Sequence, residues 1–140
     1  MLDTWKERRD WLIRFQKELL EKFPDEDYNV FVFGSYVRED FNPEQSDIDM
    51  IVYCNDFMKR TDIVQFSEKF FQSRGWETDI LEYYFIPEAY IYVVGIMNAI
   101  QMTDYYPQEL KYQLYVIAKN YSRFLEEQAV KKNICVGIMK

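Results

Sequence analysis

Histidine is missing from all 140 residues, which excludes imidazole general bases, Ser-His-Asp triads and His-ligated zinc in one step. Any catalysis must therefore rest on carboxylates. Thiols are nearly as scarce: Cys54 and Cys135 stand far apart, in no CxxC or zinc-knuckle spacing, so no disulfide framework is expected and both read as reduced. Cations are in deficit, 17 Lys and Arg against 24 Asp and Glu for a net charge of −7. Nonspecific affinity for nucleic acid comes from many Lys and Arg contacts to phosphate, so a long polynucleotide is excluded as the expected partner. A small anionic ligand stays open, because a divalent metal can bridge an acidic site to a polyphosphate. Long apolar runs are also lacking. The longest, Ala89 to Ile100, is interrupted by Tyr90, Tyr92, Gly95 and Asn98, and the charged segment Met1 to Arg9 has no signal-peptide core. The expectation is a cytoplasmic protein with no membrane partner. No Gly/Ser linker, repeat or low-complexity tract divides the chain.

What is present suits one compact domain spanning 1–140. Apolar residues make up 49% and aromatics 19% of the chain, ample for a core at this length. Thr4 and Glu7 form a capping box, and Trp5, Leu12, Phe15, Leu19 and Phe23 recur at helical steps, predicting a helix that stops before Pro24. The run Tyr28 to Phe33 reads as a buried strand. Gly34-Ser35 ends it at a helix start of at most two turns, and a polar loop extends to Ser46. A second strand, Asp47 to Tyr53, carries Asp47, Asp49 and Ile51 on one face and Ile48, Met50 and Val52 on the other. Asp56 or Thr61 caps a helix through Ile63, Phe66, Phe70 and Phe71 that stops at Gly75, and Glu77 to Phe85 reads as a third strand. From Pro87 the pattern predicts a helical pair, to about Met102 and then Pro107 to about Gln128, with Ile134 to Met139 as an optional edge strand. The fold class implied is α+β, a small sheet covered by helices, with a core over about 1–86 and C-terminal helices over about 87–128.

Chemistry concentrates in Val32-Phe33-Gly34-Ser35-Tyr36-Val37-Arg38 and Ser46-Asp47-Ile48-Asp49-Met50. Gly34 allows a sharp turn and close approach of a ligand to the backbone, and Ser35 adds a hydroxyl beside the N–H groups of a helix start, a seat for phosphate. Two carboxylates two positions apart on a strand project side by side, and hard oxygen ligands suit Mg2+ bound jointly with substrate phosphates. Without a cation or water between them they repel. Arg38 reads equally as a phosphate-steering group or a solvated charge. A Gly-Ser turn alone, or an Asp opening a strand, is ordinary structure; the pairing of the two is what points to a site.

These two stretches resemble the DNA polymerase β-like nucleotidyltransferase superfamily, and within it the minimal nucleotidyltransferases, whose signature is an apolar residue, Gly-Ser, a spacer, then Asp-x-Asp in a strand and a third carboxylate on a later strand. The resemblance covers Tyr28 to about Phe85. It implies a mixed sheet of nucleotidyltransferase fold, with Gly34, Ser35 and Arg38 at the nucleotide and Asp47 and Asp49 at Mg2+ (or Mn2+). As the third catalytic and metal-binding carboxylate it implies Asp79, with Glu77 and Glu82 as the alternatives. The implied reaction moves a nucleoside monophosphate from a nucleoside triphosphate to a hydroxyl of a small molecule or protein, releasing pyrophosphate. Two departures stand out: Glu39 occupies a position that is Gly in many members, and the 11-residue spacer between Ser35 and Asp47 is one longer than the commonest form. A rival reading is an antitoxin-like or regulatory protein of the same fold that acts mainly by holding a partner protein. The Tyr-rich C-terminal helices read as core or interface packing, and so small a core suggests a homodimer.

Overall fold

In a computed structural model the described residues are 4–38, 41–84 and 99–105, with scattered positions between 112 and 123. Two compact units divide the chain, 1–106 and 107–140. In the second unit the described positions, among them Tyr112 and Tyr115, are helical, and these two side chains are exposed.

The first unit opens with α1 (Trp5–Lys22), capped by the Thr4 hydroxyl, which accepts the Glu7 N–H at 3.2 Å. The helix ends at Phe23, next to the proline that cannot continue it. Next come β1 (Tyr28–Phe33), a 3-10 turn over Gly34–Val37, and β2 (Ile48–Cys54). Helix α2 (Phe57–Gln72) starts at Asp56, whose carboxylate accepts the Lys59 N–H, and leads to β3 (Thr78–Tyr83). Asp56, not Thr61, is the cap; Thr61 lies inside the helix and donates to the Phe57 carbonyl. The sheet order is β3-β2-β1-β4, where β4 is Ile100–Gln101. Strands β1 and β2 are antiparallel, while β2 and β3 are parallel and α2 supplies the crossover such a pair requires.

One face of this mixed sheet, bearing Val30, Val32, Ile48, Met50, Val52 and Cys54, closes on Leu12, Phe15 and Leu19 of α1 and Ile63, Val64, Phe70 and Phe71 of α2. Aromatic rings dominate that core. Phe15 lies 5.2 Å from Phe70 and 5.1 Å from Phe71, ring centre to ring centre, and Trp11 meets Trp76 edge-on at 6.0 Å. Phe31 and Ile51, register partners on the other face, are buried too, which is why β2 reads as a nearly continuous apolar run.

Two expectations need correction. The helix predicted to run from Pro87 to about Met102 has its first twelve residues outside the described set, but its last part is not helical: Ile100 and Gln101 pair with Val32 and Phe31 as an edge strand. The reason lies about seventy residues earlier. Buried Asn29 donates to the carbonyls of Thr103 (3.1 Å) and Tyr105 (2.9 Å) and accepts the Thr103 N–H, while the Thr103 hydroxyl donates to the Tyr28 carbonyl. A long-range network of this kind overrides a local periodicity. Strand β2 also begins one residue later than predicted, leaving Asp47 just ahead of it. Among the described residues no helix is long and apolar enough to cross a membrane. The tail expected at Ile134 to Met139 lies outside the described residues.

Candidate active site

The two motif halves meet because β1 and β2 pair antiparallel: Phe33, the residue before Gly34, is the register partner of Asp49. The length of the intervening loop is therefore immaterial to their contact. Gly34 has φ of +74°, a region where an L side chain is strained. A Cβ built there would collide with Asp49 Oδ2 and lie 3.2 Å from its Cγ. Glycine is thus required twice, by the backbone and by the carboxylate seated against it. The turn that follows is a single 3-10 turn of four residues, closed by the Arg38 N–H donating to the Ser35 carbonyl at 2.9 Å.

Parallel pairing of β2 with β3 adds the next group, since Asp49 and Asp79 are register partners. Side chains of paired residues share a face, so the two carboxylates stand beside one another near the start of both strands. Asp47 and Asp79 are exposed and Asp49 is half-buried. Burial, and then the negative charges of Asp79 and Asp47, hold the Asp49 carboxyl above the usual carboxylate range, with Arg38 pulling in the opposite direction. Asp47, Asp49, Asp79 and Arg38 accordingly act on one electrostatic locus beside Gly34. The other two candidates for the third carboxylate have different surroundings. Glu82 reaches Arg60, 3.5 Å from its Nε, and Glu77 precedes β3, where its carbonyl accepts the Ile48 N–H at 2.9 Å.

Among the described residues no three His, Cys, Asp or Glu groups are gathered closely enough to hold a cation unaided. Mg2+ does not demand such a cage, being held typically by one or two carboxylates together with substrate phosphates. Half-buried Asp49, flanked by like charge and offering only hard oxygen donors, fits that ion. A surface depression of about 310 Å³ lined by Lys22, Asp62, Gln65, Phe66 and Lys69 shares no residue with this locus. Cys54 is buried and its thiol is pushed up chiefly by that burial, so it offers no reactive thiolate.

Two residues at the site escaped sequence reasoning. Arg8, on α1, is only 3% exposed and donates from Nε to the Tyr36 carbonyl and from Nη2 to the Arg38 carbonyl, both at 2.8 Å. Its signal was available: Arg8 occupies a core-facing position on the stripe continued by Leu12, Phe15 and Leu19, where a charge is anomalous. Tyr36 was equally overlooked. Its fully buried ring packs edge-on against Phe41 and Trp76, fastening the turn to the core.

The profile of the nucleotidyltransferase domain family matches residues 12–101. No curated protein sequence matches the chain. Among solved structures, the chain is similar to a mutant form of the toxin-antitoxin pair MntA-HpeT, with 18% identity and a TM-score of 0.47 over 84% of this chain and 93% of that one. It is also similar to the complex of the tri-AMPylated Shewanella oneidensis HEPN toxin with MNT antitoxin, with 17% identity and a TM-score of 0.43 over 92% of this chain and 99% of that one.

Proposed function

The chain belongs to the nucleotidyltransferase domain family, and from that premise we propose that it transfers a nucleoside monophosphate from a nucleoside triphosphate to a hydroxyl of a small molecule or protein. The observation that carries this reading is the contact between the two motif halves: Gly34 leaves room for Asp49 and nothing larger than hydrogen, so the turn and the carboxylate are built as one unit.

Asp49 and Asp47 would hold Mg2+ jointly with the phosphates of the nucleotide, and Asp79, the register partner of Asp49, would serve as the third carboxylate once these are bound. When bound, the ion would neutralise phosphate charge and favour an attacking oxygen. The protein's own part is positioning and electrostatics. The Gly34-Ser35 turn presents backbone and hydroxyl groups to the phosphates, and Arg38 offers the positive charge that acts on Asp49. Asp79, more exposed than Asp49, would accept the proton of the acceptor hydroxyl. The acidic balance of the chain, at −7, suits a cationic small molecule or a protein surface as acceptor better than RNA.

The reading is tested by incubating the protein and Mg2+ with each of four triphosphates labelled at the α-phosphate, in the presence of hydroxyl-bearing small molecules and of cell proteins. Label should move to an acceptor with release of pyrophosphate in wild type and not in Asp47→Asn or Asp49→Asn. Equal transfer by all three proteins would remove these carboxylates from the mechanism.

A further inference from the structure

We propose that Arg8 is a positioning residue for the phosphate-binding turn: from α1 its buried guanidinium clamps the Tyr36 and Arg38 carbonyls and so presets Ser35 and Arg38 for a nucleoside triphosphate. The inference rests on the nucleotide reading given above and deepens it.

A charged side chain at a core-facing helical position is costly, because burial strips it of water, and an apolar residue of similar volume there avoids that cost. Arg8 is compensated by a specific arrangement. Two donors on its planar fork reach two carbonyls of one short turn at the same distance, 2.8 Å, and the Tyr36 hydroxyl donates back to the Arg8 carbonyl at 3.1 Å. The guanidinium carbon also lies 5.2 Å from the centre of the Phe41 ring and 5.7 and 5.9 Å from those of Trp5 and Tyr36. Helix and turn are thereby tied in both directions.

The consequence falls on the site. A trans peptide is planar, with its C=O and N–H opposed, so drawing the Tyr36 carbonyl to Arg8 turns the Val37 N–H away from α1. Holding the Arg38 carbonyl fixes the backbone from which the Arg38 side chain departs, and the charge of that side chain acts on Asp49. A 3-10 turn of four residues has few hydrogen bonds of its own, and it is closed by the Arg38 N–H donating to the Ser35 carbonyl. An external clamp is what keeps such a segment in one conformation, and a preset turn loses less entropy when a ligand binds. Lysine does not reproduce the clamp, since an ammonium is a point charge without the planar fork that spans two acceptors.

Arg8→Lys, Arg8→Met and a control, Leu12→Ala, separate positioning from mere stability. The probes are non-hydrolysable analogues of ATP, GTP, CTP and UTP with Mg2+, titrated against each folded protein, together with amide hydrogen exchange over residues 33–38 without ligand. Arg8→Lys is expected to weaken the analogue that wild type binds best by roughly threefold to tenfold, the value of one lost hydrogen bond. Exchange in the turn should quicken while that of β2 and α2 stays as in wild type. Arg8→Met should weaken binding further, and if it fails to fold, Arg8→Lys decides alone. Leu12→Ala should lower the unfolding midpoint yet keep wild-type affinity. Unchanged affinity and unchanged turn exchange in Arg8→Lys overturn the inference, as does an equal loss of affinity in Leu12→Ala. A wild type that binds none of the analogues overturns the nucleotide reading itself, an outcome distinct from wild-type binding that the Arg8 variants leave intact.

Discussion

The two ends of β2 carry acidic groups in opposite circumstances. Toward the end near Cys54, carboxylates are matched with cations: Glu82 with Arg60, whose Nη1 also donates to the Cys54 carbonyl at 2.6 Å, and Asp27 with Lys59, whose ammonium donates to the Asp25 carbonyl and lies 5.0 Å from the centre of the Tyr28 ring. Near Ile48 the neighbours of Asp49 include Asp79 and Asp47, and the net result is a carboxyl that resists ionisation. Folding alone rewards the first arrangement and not the second. Like charge only partly offset by Arg38, beside a left-handed glycine, is the arrangement that the proposed cation and polyphosphate would relieve.

The contrast breaks most sharply at Asp49. In Asp49→Asn, label transfer should fall by more than ~100-fold, beyond the 10–100-fold that outer-shell partners of metal ligands are worth. The same variant should be more stable than wild type at neutral pH in chelator. The sign follows from linkage: the folded Asp49 carboxyl binds its proton more tightly than the unfolded one, so ionisation penalises the native state. Wild-type stability should therefore decline as pH rises from the unfolded carboxylate range through the raised value, and Asp49→Asn should lack that decline. Urea titrations at a series of pH values check both.

Next in size is a comparison of two glycines. Gly34→Ala should lose triphosphate binding and about 1–3 kcal/mol of stability from backbone strain, with the collision at Asp49 in addition. Gly75 also has a positive φ, +86°, but a Cβ there meets nothing within 4 Å. Gly75→Ala should thus cost about 1–2 kcal/mol by urea denaturation and leave ligand binding unchanged. The smallest effect belongs to the matched end of the sheet: Asp27→Asn, removing a largely exposed partner of Lys59, should cost at most ~1 kcal/mol, shrink in high salt and spare transfer.

Much of this was readable without coordinates where the signal is local. The Gly-Ser turn after an apolar run and the Asp-x-Asp opening the next run needed only strand pairing to meet, and pairing follows once both strands are seen. Asp79 was readable as a residue of the third strand, while its register opposite Asp49 became definite only with the parallel pairing of β2 and β3. Other features depend on distant partners. Ile100-Gln101 is too short for any periodicity to identify, and its pairing is enforced by Asn29. Arg8 passed as one of several charges in a polar N-terminal segment; its partners, the carbonyls of Tyr36 and Arg38, carry no side-chain signature.

The central claim, that Gly34-Ser35 and the Asp47/Asp49 pair form a magnesium-dependent triphosphate site, is tested most directly by thermal unfolding of wild type and Asp49→Asn with each of four nucleoside triphosphates, with and without Mg2+. At ~100 times its dissociation constant a ligand stabilises by ~2.7 kcal/mol, a shift of several degrees for a domain of this size. The account predicts such a shift for wild type in Mg2+ and its loss in chelator and in Asp49→Asn; no shift with any triphosphate, or the same shift in Asp49→Asn, would contradict it.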